Sequence, residues 1–197
     1  MHKKLIAEAL GTFTLTLAVI ASIHSGAATI PTPAVAGLVV ALFVYTVGWI
    51  SGAHFNPAVT IGLWVGKHIN QKEAIAYIAT QLAAALAALA ISTVLIGEQN
   101  FAMAPESLQI FLAELIGATI LTFGIAAVVH GKVSSTLSGI VIGWSLLIGI
   151  ILASALGSAG ILNPAVALAL GSLNLSYALG AIAGGVLGVQ LYKQLTK

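Results

Sequence analysis

Apolar residues run along this chain in long stretches, and breaks rich in glycine, proline, serine or charge separate them. A helix needs about 20 apolar residues to cross the hydrocarbon core of a bilayer. The first such stretch contains Glu8 and is long enough to span, so we interpret it as an uncleaved helix and not as a signal peptide. The pattern predicts six transmembrane helices, at residues 4–24, 34–50, 71–95, 108–130, 134–156 and 175–195.

Two shorter apolar stretches, residues 56–66 and 163–171, remain between the predicted spans. At about 1.5 Å per residue each reaches close to half of the bilayer thickness. A membrane tolerates such broken helices only where protein buries them or where they line a cavity. The segmentation therefore predicts two re-entrant half-helices beside a pathway through the protein.

Composition agrees with a membrane protein, because 59% of the 197 residues are hydrophobic and only 6% are charged. A soluble domain carries about 25% charged residues, and a disordered chain is poor in apolar residues. The net charge of +2 comes from scattered lysines without any arginine. These form no phosphate-binding face, so we expect the lipid bilayer as a partner and no nucleic acid.

The lysines predict the orientation of the chain. With six spans, every lysine falls on one side of the membrane, whereas the loops at 24–33, 97–107 and 157–162 contain none. Positive residues favour the cytoplasmic side. We therefore expect a multi-pass protein of the cell (inner or plasma) membrane with both termini in the cytoplasm.

An internal repeat relates the two halves of the chain. The motif Asn-Pro-Ala-Val at residues 56–59 recurs at 163–166, and Ala-Glu-x-x-Gly at 7–11 recurs at 113–117. The sequence thus predicts one membrane channel domain over residues 1–197, built from repeats at 1–96 and 108–197. Each repeat contains three spans, an odd number, so the halves have opposite orientations and their half-helices meet near the midplane.

The repeated Asn-Pro-Ala motif indicates two helix starts. Proline is favoured at the first helical position, and the side-chain oxygen of asparagine caps a helix N-terminus. The amide NH₂ then remains free to donate a hydrogen bond into the pathway. Two such helix ends together favour a water or hydroxyl oxygen and repel cations. The candidate pore-lining residues are Asn56, Pro57, Ala58, Asn163, Pro164 and Ala165.

Residues 51–62, Ser-Gly-Ala-His-Phe-Asn-Pro-Ala-Val-Thr-Ile-Gly, resemble the first signature of the aquaporins, or major intrinsic proteins. The resemblance covers the whole chain, including residues 7–12 and 129–131. It implies an all-α integral membrane fold of six transmembrane helices plus two re-entrant half-helices in an inverted 3+3 repeat. It also implies a homotetramer in which each protomer has its own pore.

The sequence departs from the family at the narrowest point of the pore. In the family an arginine after the second motif, an aromatic residue on the second span, often a histidine on the fifth span, and a loop residue form this selectivity filter. The matching positions here are Val166, Ala36, Ile150 or Ile151, and Gly160 or Ala159. The resemblance therefore implies a filter that is wider, apolar and without its fixed cation.

We expect a passive channel for water or small neutral solutes, with relaxed selectivity. The apolar filter could admit larger solutes such as glycerol, ammonia, peroxide or gases, or it could dewet and conduct water poorly. Glycerol-conducting members carry an aspartate soon after the second motif, and residues 166–169 contain none, so we do not predict a glycerol facilitator. The alternatives are an ion- or proton-leaky channel and a structural membrane protein with a closed pore.

Three ionisable residues are further candidates. Glu8 and Glu114 lie at the depth of the re-entrant loops, where they could accept hydrogen bonds from loop N–H groups or relay protons. His54 precedes the first half-helix, and the resemblance places it on the cytoplasmic side of the pore, although bracing the loop is an alternative role.

The sequence shows no metal-binding cluster, paired carboxylates or nucleophile with a base, so we expect no cofactor, no metal and no enzyme.

Overall fold

A computed structural model describes residues 1–25, 30–98, 101 and 105–197, and within these ranges the regular structure is entirely helical. Six of the helices in the described residues are long and apolar enough to cross a membrane. In chain order the helices are α1 (His2–His24), α2 (Thr32–Ser51), α3 (Pro57–Val65), α4 (Gln71–Ile96), α5 (Leu108–Val129), α6 (Ser138–Ala155), α7 (Pro164–Ala169) and α8 (Leu175–Leu195). This is the all-helical architecture that the sequence predicts.

The boundaries differ from the predicted ones by a few residues, for local reasons. Helix α6 begins at Ser138 because Ser135–Leu137 form a separate 3-10 turn. Helix α7 ends before Gly171, whose φ of 64° is left-handed and ends the helical path. The predicted loops at 24–33 and 97–107 include residues 26–29, 99–100 and 102–104, which lie outside the described residues.

Each short helix packs against the last long helix of the opposite half. Helix α3 packs on α8, and α7 packs on α4. At the first contact a Cβ added to Gly62 would overlap the backbone carbonyl of Gly185. The absence of both side chains therefore allows the two backbones to touch, and this contact fixes the position of α3 beside α8.

Glycines also bring the long helices of the second half together. Gly180, Gly184 and Gly188 lie four residues apart on α8, and a Cβ on any of them would collide with backbone atoms of α5. Gly37 of α2 and Gly143 of α6 make a similar contact, each facing the carbonyl of the other. Such small-residue contacts let membrane helices approach closely. Here they pack helices of the same chain against each other.

Candidate functional site

The two Asn-Pro-Ala motifs form the starts of the short helices. Asn56 and Asn163 are both N-caps with extended backbone, and each is followed by proline at the first helical position. The Asn56 side-chain oxygen accepts from the Ala58 N–H at 2.8 Å, and that of Asn163 accepts from the Ala165 N–H at 3.0 Å. Both asparagines are 4% exposed. The two helix starts are therefore buried within the protein.

The two asparagine amides bind the opposite half of the chain. Asn56 Nδ2 donates to the carbonyl of Leu162 at 2.8 Å, and Asn163 Nδ2 donates to the carbonyl of Phe55 at 3.0 Å. The expectation of a wholly free NH₂ was therefore wrong, because one of its two protons holds the halves together. The second proton of each amide remains for the pathway, since an NH₂ group has two donors.

Phe55 and Leu162 join these cross-links to the glutamates. Both adopt a left-handed backbone, with φ of 52° and 55°, which is costly for residues other than glycine. Their N–H groups donate to Glu8 and Glu114, both at 2.7 Å, while their carbonyls accept from the asparagines. Sequence reasoning missed both residues. The available signal was their position, one residue before the asparagine in each repeat.

Glu8 is fully buried and accepts hydrogen bonds from four groups. They are the Ser51 hydroxyl at 2.7 Å, the N–H groups of His54 and Phe55 at 2.9 and 2.7 Å, and the Gln81 amide at 2.9 Å. Each carboxylate oxygen receives two of these bonds, so both lone pairs of each oxygen are occupied. A carboxylate that accepts two loop N–H groups and two side-chain donors is the arrangement expected of a structural acceptor for the loop.

Glu114 repeats this arrangement in the second half. It is also fully buried, and it accepts from the Ser158 hydroxyl at 2.5 Å and from the N–H groups of Ile161 and Leu162 at 3.0 and 2.7 Å. The two loops thus use the same set of donors, apart from the amide of Gln81. Tyr77 of α4 and Tyr177 of α8 bond the two loops in a similar way, and four residues further along each helix stand Gln81 and Ala181. Among the described hydrogen bonds of Glu114, none therefore corresponds to that from the Gln81 amide.

His54 is held by a chain of polar side chains that begins at Glu8. Gln81 Nε2 donates both to Glu8 and to the Thr60 hydroxyl at 3.0 Å, and that hydroxyl lies 3.1 Å from His54 Nδ1. The His54 ring also packs edge-on against Tyr77. Sequence reasoning did not identify Gln81 or Thr60. A buried amide within an apolar span is the signal that could have indicated Gln81.

The predicted filter residues lie together around one cavity of about 260 Å³, which we call the Val166 cavity. Its wall is mostly apolar and includes both loop alternatives, Ala159 and Gly160. Ile151 is not part of this wall and is 52% exposed, whereas its neighbour Ile150 is buried and lines the cavity. The structure therefore places Ile150, and not Ile151, beside the other positions, which are Ala36, Gly160 and Val166.

Two further cavities follow the Val166 cavity through the protein. The Asn56 cavity is lined by His54, Asn56 and Asn163, and it shares Leu15, Leu146 and Asn163 with the Val166 cavity. The Tyr45 cavity is lined by Tyr45, Gly48 and Trp49, and it shares Ile125 and Ile142 with the Asn56 cavity. The shared walls place the three cavities in a row, with the asparagines at its middle.

Among the described residues, no lysine or glutamate lines any of the three cavities. His68 lies between α3 and α4, where its ring packs against the ring of His130. Partial burial is the main cause that lowers the pKa of His68, and the nearby His130 and Lys193 lower it further. His68 is therefore neutral at neutral pH, and it does not line any of the three cavities.

This chain is similar to a known protein family and to individual members of known sequence. The family model of the major intrinsic proteins matches residues 1–192. Aquaporin NIP1-4 of Oryza sativa subsp. japonica is 34% identical over 206 residues, covering 95% of this chain and 75% of that protein. Aquaporin Z of Photorhabdus laumondii subsp. laumondii is 41% identical over 106 residues, covering 50% of this chain and 46% of that protein. This match therefore spans less than half of the relative's length.

The fold has a counterpart of known structure. The X-ray structure of the aquaglyceroporin from Plasmodium falciparum is similar with a TM-score of 0.74 and 23% sequence identity. The match covers 98% of this chain and 94% of that one. At this identity the similarity concerns the fold, and it includes nearly the whole of both chains.

Proposed function

Because this chain belongs to the major intrinsic protein family, we propose that it is a passive transmembrane channel for water and small neutral solutes. The observation that carries the proposal is the row of cavities that meets at Asn56 and Asn163. The asparagine amides can donate hydrogen bonds to the oxygen atom of a water or solute molecule that passes through the pathway. The surrounding walls are apolar and bind solutes weakly, as a conducting pore requires.

We propose that Ala36, Ile150, Gly160 and Val166 form the selectivity filter of this channel. Selectivity in such pores depends on diameter, on donors and acceptors in the wall, and on electrostatic barriers. These four residues have no charged side chain and leave a cavity of about 260 Å³. The filter is thus wide and apolar. Hydrogen bonds from the asparagine amides then favour solutes that carry an acceptor oxygen.

We assign bracing roles to the buried glutamates. Glu8 and Glu114 hold the two left-handed loop residues by their N–H groups, and these residues in turn hold the asparagines. His54 lines the pathway on the other side of the asparagines from Val166. The segment at residues 51–60 therefore both holds the loop in position and lines the pathway.

We further propose the placement and assembly of the channel. All seven lysines lie on the side that the six spans assign to the cytoplasm, which supports cytoplasmic termini in a cell membrane. Large apolar side chains such as Leu38, Val94 and Trp144 are exposed on the outside of the protomer. These surfaces suit contact with lipid or with neighbouring protomers of a homotetramer.

A proton or ion leak is the second candidate function, and one observation favours it. Valine occupies the position of the family's filter arginine, and among the described residues no cationic side chain lines the Val166 cavity. Such an arginine would form an electrostatic barrier to cations. The remaining barrier is the pair of asparagine donors together with the N-terminal dipole of α3.

Osmotic shrinkage of proteoliposomes tests the proposed function. In a sucrose gradient we expect vesicles containing the protein to shrink severalfold faster than protein-free vesicles, because the row of cavities provides an aqueous path. An enclosed pH dye should report no faster proton entry than in protein-free vesicles. Water flux equal to that of protein-free vesicles would contradict the channel, and rapid collapse of a pH gradient would establish the leak instead.

A further inference from the structure

The cavities along the pathway differ greatly in volume. The Val166 cavity measures about 260 Å³ and the Tyr45 cavity about 620 Å³. The Asn56 cavity between them measures only about 20 Å³. The filter positions therefore border one of the wide parts of this pathway, and the asparagines border the small part.

The volume of the Asn56 cavity corresponds to a single small molecule. A water molecule needs about 10–15 Å³ of such space, roughly one probe sphere. The Asn56 cavity is therefore large enough for one water and too small for a polyol. A solute that passes the Val166 cavity meets this tighter space next.

Two leucines separate the wide cavity from the small one. Leu15 of α1 and Leu146 of α6 line both cavities, and they are 4% and 5% exposed. Asn163 is the third residue that the cavities share. The boundary thus consists of two apolar side chains beside one amide donor, and Val40 and Ile142 continue the apolar wall into the Asn56 cavity.

We propose that Leu15 and Leu146, and not the filter positions around Val166, set the size limit of this channel. The proposal rests on the proposed function, since it concerns what the same pathway conducts. The limit restricts transport to water and to neutral molecules of similar width, and it excludes polyols such as glycerol. The wide apolar filter then admits solutes that the leucines reject.

Shortening these leucines tests the proposal. Leu15→Ala and Leu146→Ala remove side-chain volume at the boundary, so we expect glycerol permeability to rise by about threefold or more while water flux is retained. Ile148→Ala is the matched control, because Ile148 lies on the same helix as Leu146, is exposed and lines none of the three cavities, so it should leave glycerol permeability unchanged. Val166→Ala, which removes side-chain volume from the wide cavity, should raise glycerol permeability less than Leu15→Ala does. The measurement is the glycerol and water permeability of the same proteoliposomes.

The outcomes separate this inference from the proposed function. If the wild-type protein conducts water but admits glycerol as readily, or if Val166→Ala raises glycerol flux as much as Leu15→Ala, the size limit does not lie at the leucines. If the wild-type protein conducts no water, the channel function itself fails. Leu15→Val and Leu146→Val are smaller changes that serve where the alanine variants do not fold, and they should shift glycerol flux in the same direction.

Discussion

Replacing Glu8 by alanine is expected to lower the melting temperature of the detergent-solubilised protein by about 10 °C or more. Four donors lose their acceptor, and they are the Ser51 hydroxyl, two backbone N–H groups and the Gln81 amide. Each buried donor left unpaired costs about 1–3 kcal/mol. The left-handed backbone at Phe55 also loses the bond that holds it. Water flux through the reconstituted Glu8→Ala variant should also be lower than through the wild type.

Two variants control for this loss. Glu8→Gln keeps one carbonyl oxygen as an acceptor, so its melting temperature should lie between those of the wild type and Glu8→Ala. Glu98→Ala removes an exposed carboxylate at the end of α4 and should leave the melting temperature unchanged. If Glu8→Ala melts at the same temperature as Glu98→Ala, Glu8 does not brace the loop.

Substitution of Gly62 by alanine is the second change with a large expected effect. The added methyl group would overlap the backbone carbonyl of Gly185 on α8, which cannot rotate away as a side chain can. Helix α3 must therefore shift, and Asn56 at its start shifts with it. Overpacking of this kind costs about 1–3 kcal/mol, and occasionally more. We expect a lower melting temperature and severalfold slower water flux.

Gly48 of α2 provides the matched control for this substitution. A Cβ at Gly48 would meet its nearest neighbours at 3.7 and 3.8 Å, which is ordinary van der Waals contact. Alanine is also the better helix former. Gly48→Ala should therefore match or slightly exceed the wild type in stability. Equal melting temperatures for the two alanine variants would show that the contact between α3 and α8 is not tight.

Much of the fold could be predicted from the sequence, because the bilayer restricts the choices. The long apolar stretches and the two short ones correspond to the helices observed. The prolines after Asn56 and Asn163 indicated where the short helices begin, since the cap and the missing N–H act locally. The predicted ends of helices differ from the observed ends by a few residues, because they depend on turn geometry such as the left-handed Gly171.

The parts of the site that escaped prediction depend on contacts between distant residues. The second bond of each asparagine joins residues more than 100 positions apart, from Asn56 to Leu162 and from Asn163 to Phe55. Gln81 and Thr60 reach His54 only after α4 packs beside the first loop. The choice between Ile150 and Ile151 likewise depends on the rotation of α6, which the apolar pattern on all its sides does not fix.

The central claim is that solutes pass through the row of cavities, and one pair of adjacent residues on α6 tests it directly. Ile150 lines the Val166 cavity, whereas Ile151 lies outside its wall and is 52% exposed. The chain contains no cysteine, so a single introduced thiol is the only one that can react. Ile150→Cys and Ile151→Cys are then matched variants in the same helix.

The measurement is the water flux of each variant before and after a bulky thiol reagent is added on both sides of the vesicle membrane. We expect the reagent to suppress most of the water flux through Ile150→Cys and to leave that through Ile151→Cys unchanged. Mass spectrometry of the protein shows whether the thiol has been modified. Undiminished flux through fully modified Ile150→Cys would contradict the pathway described here.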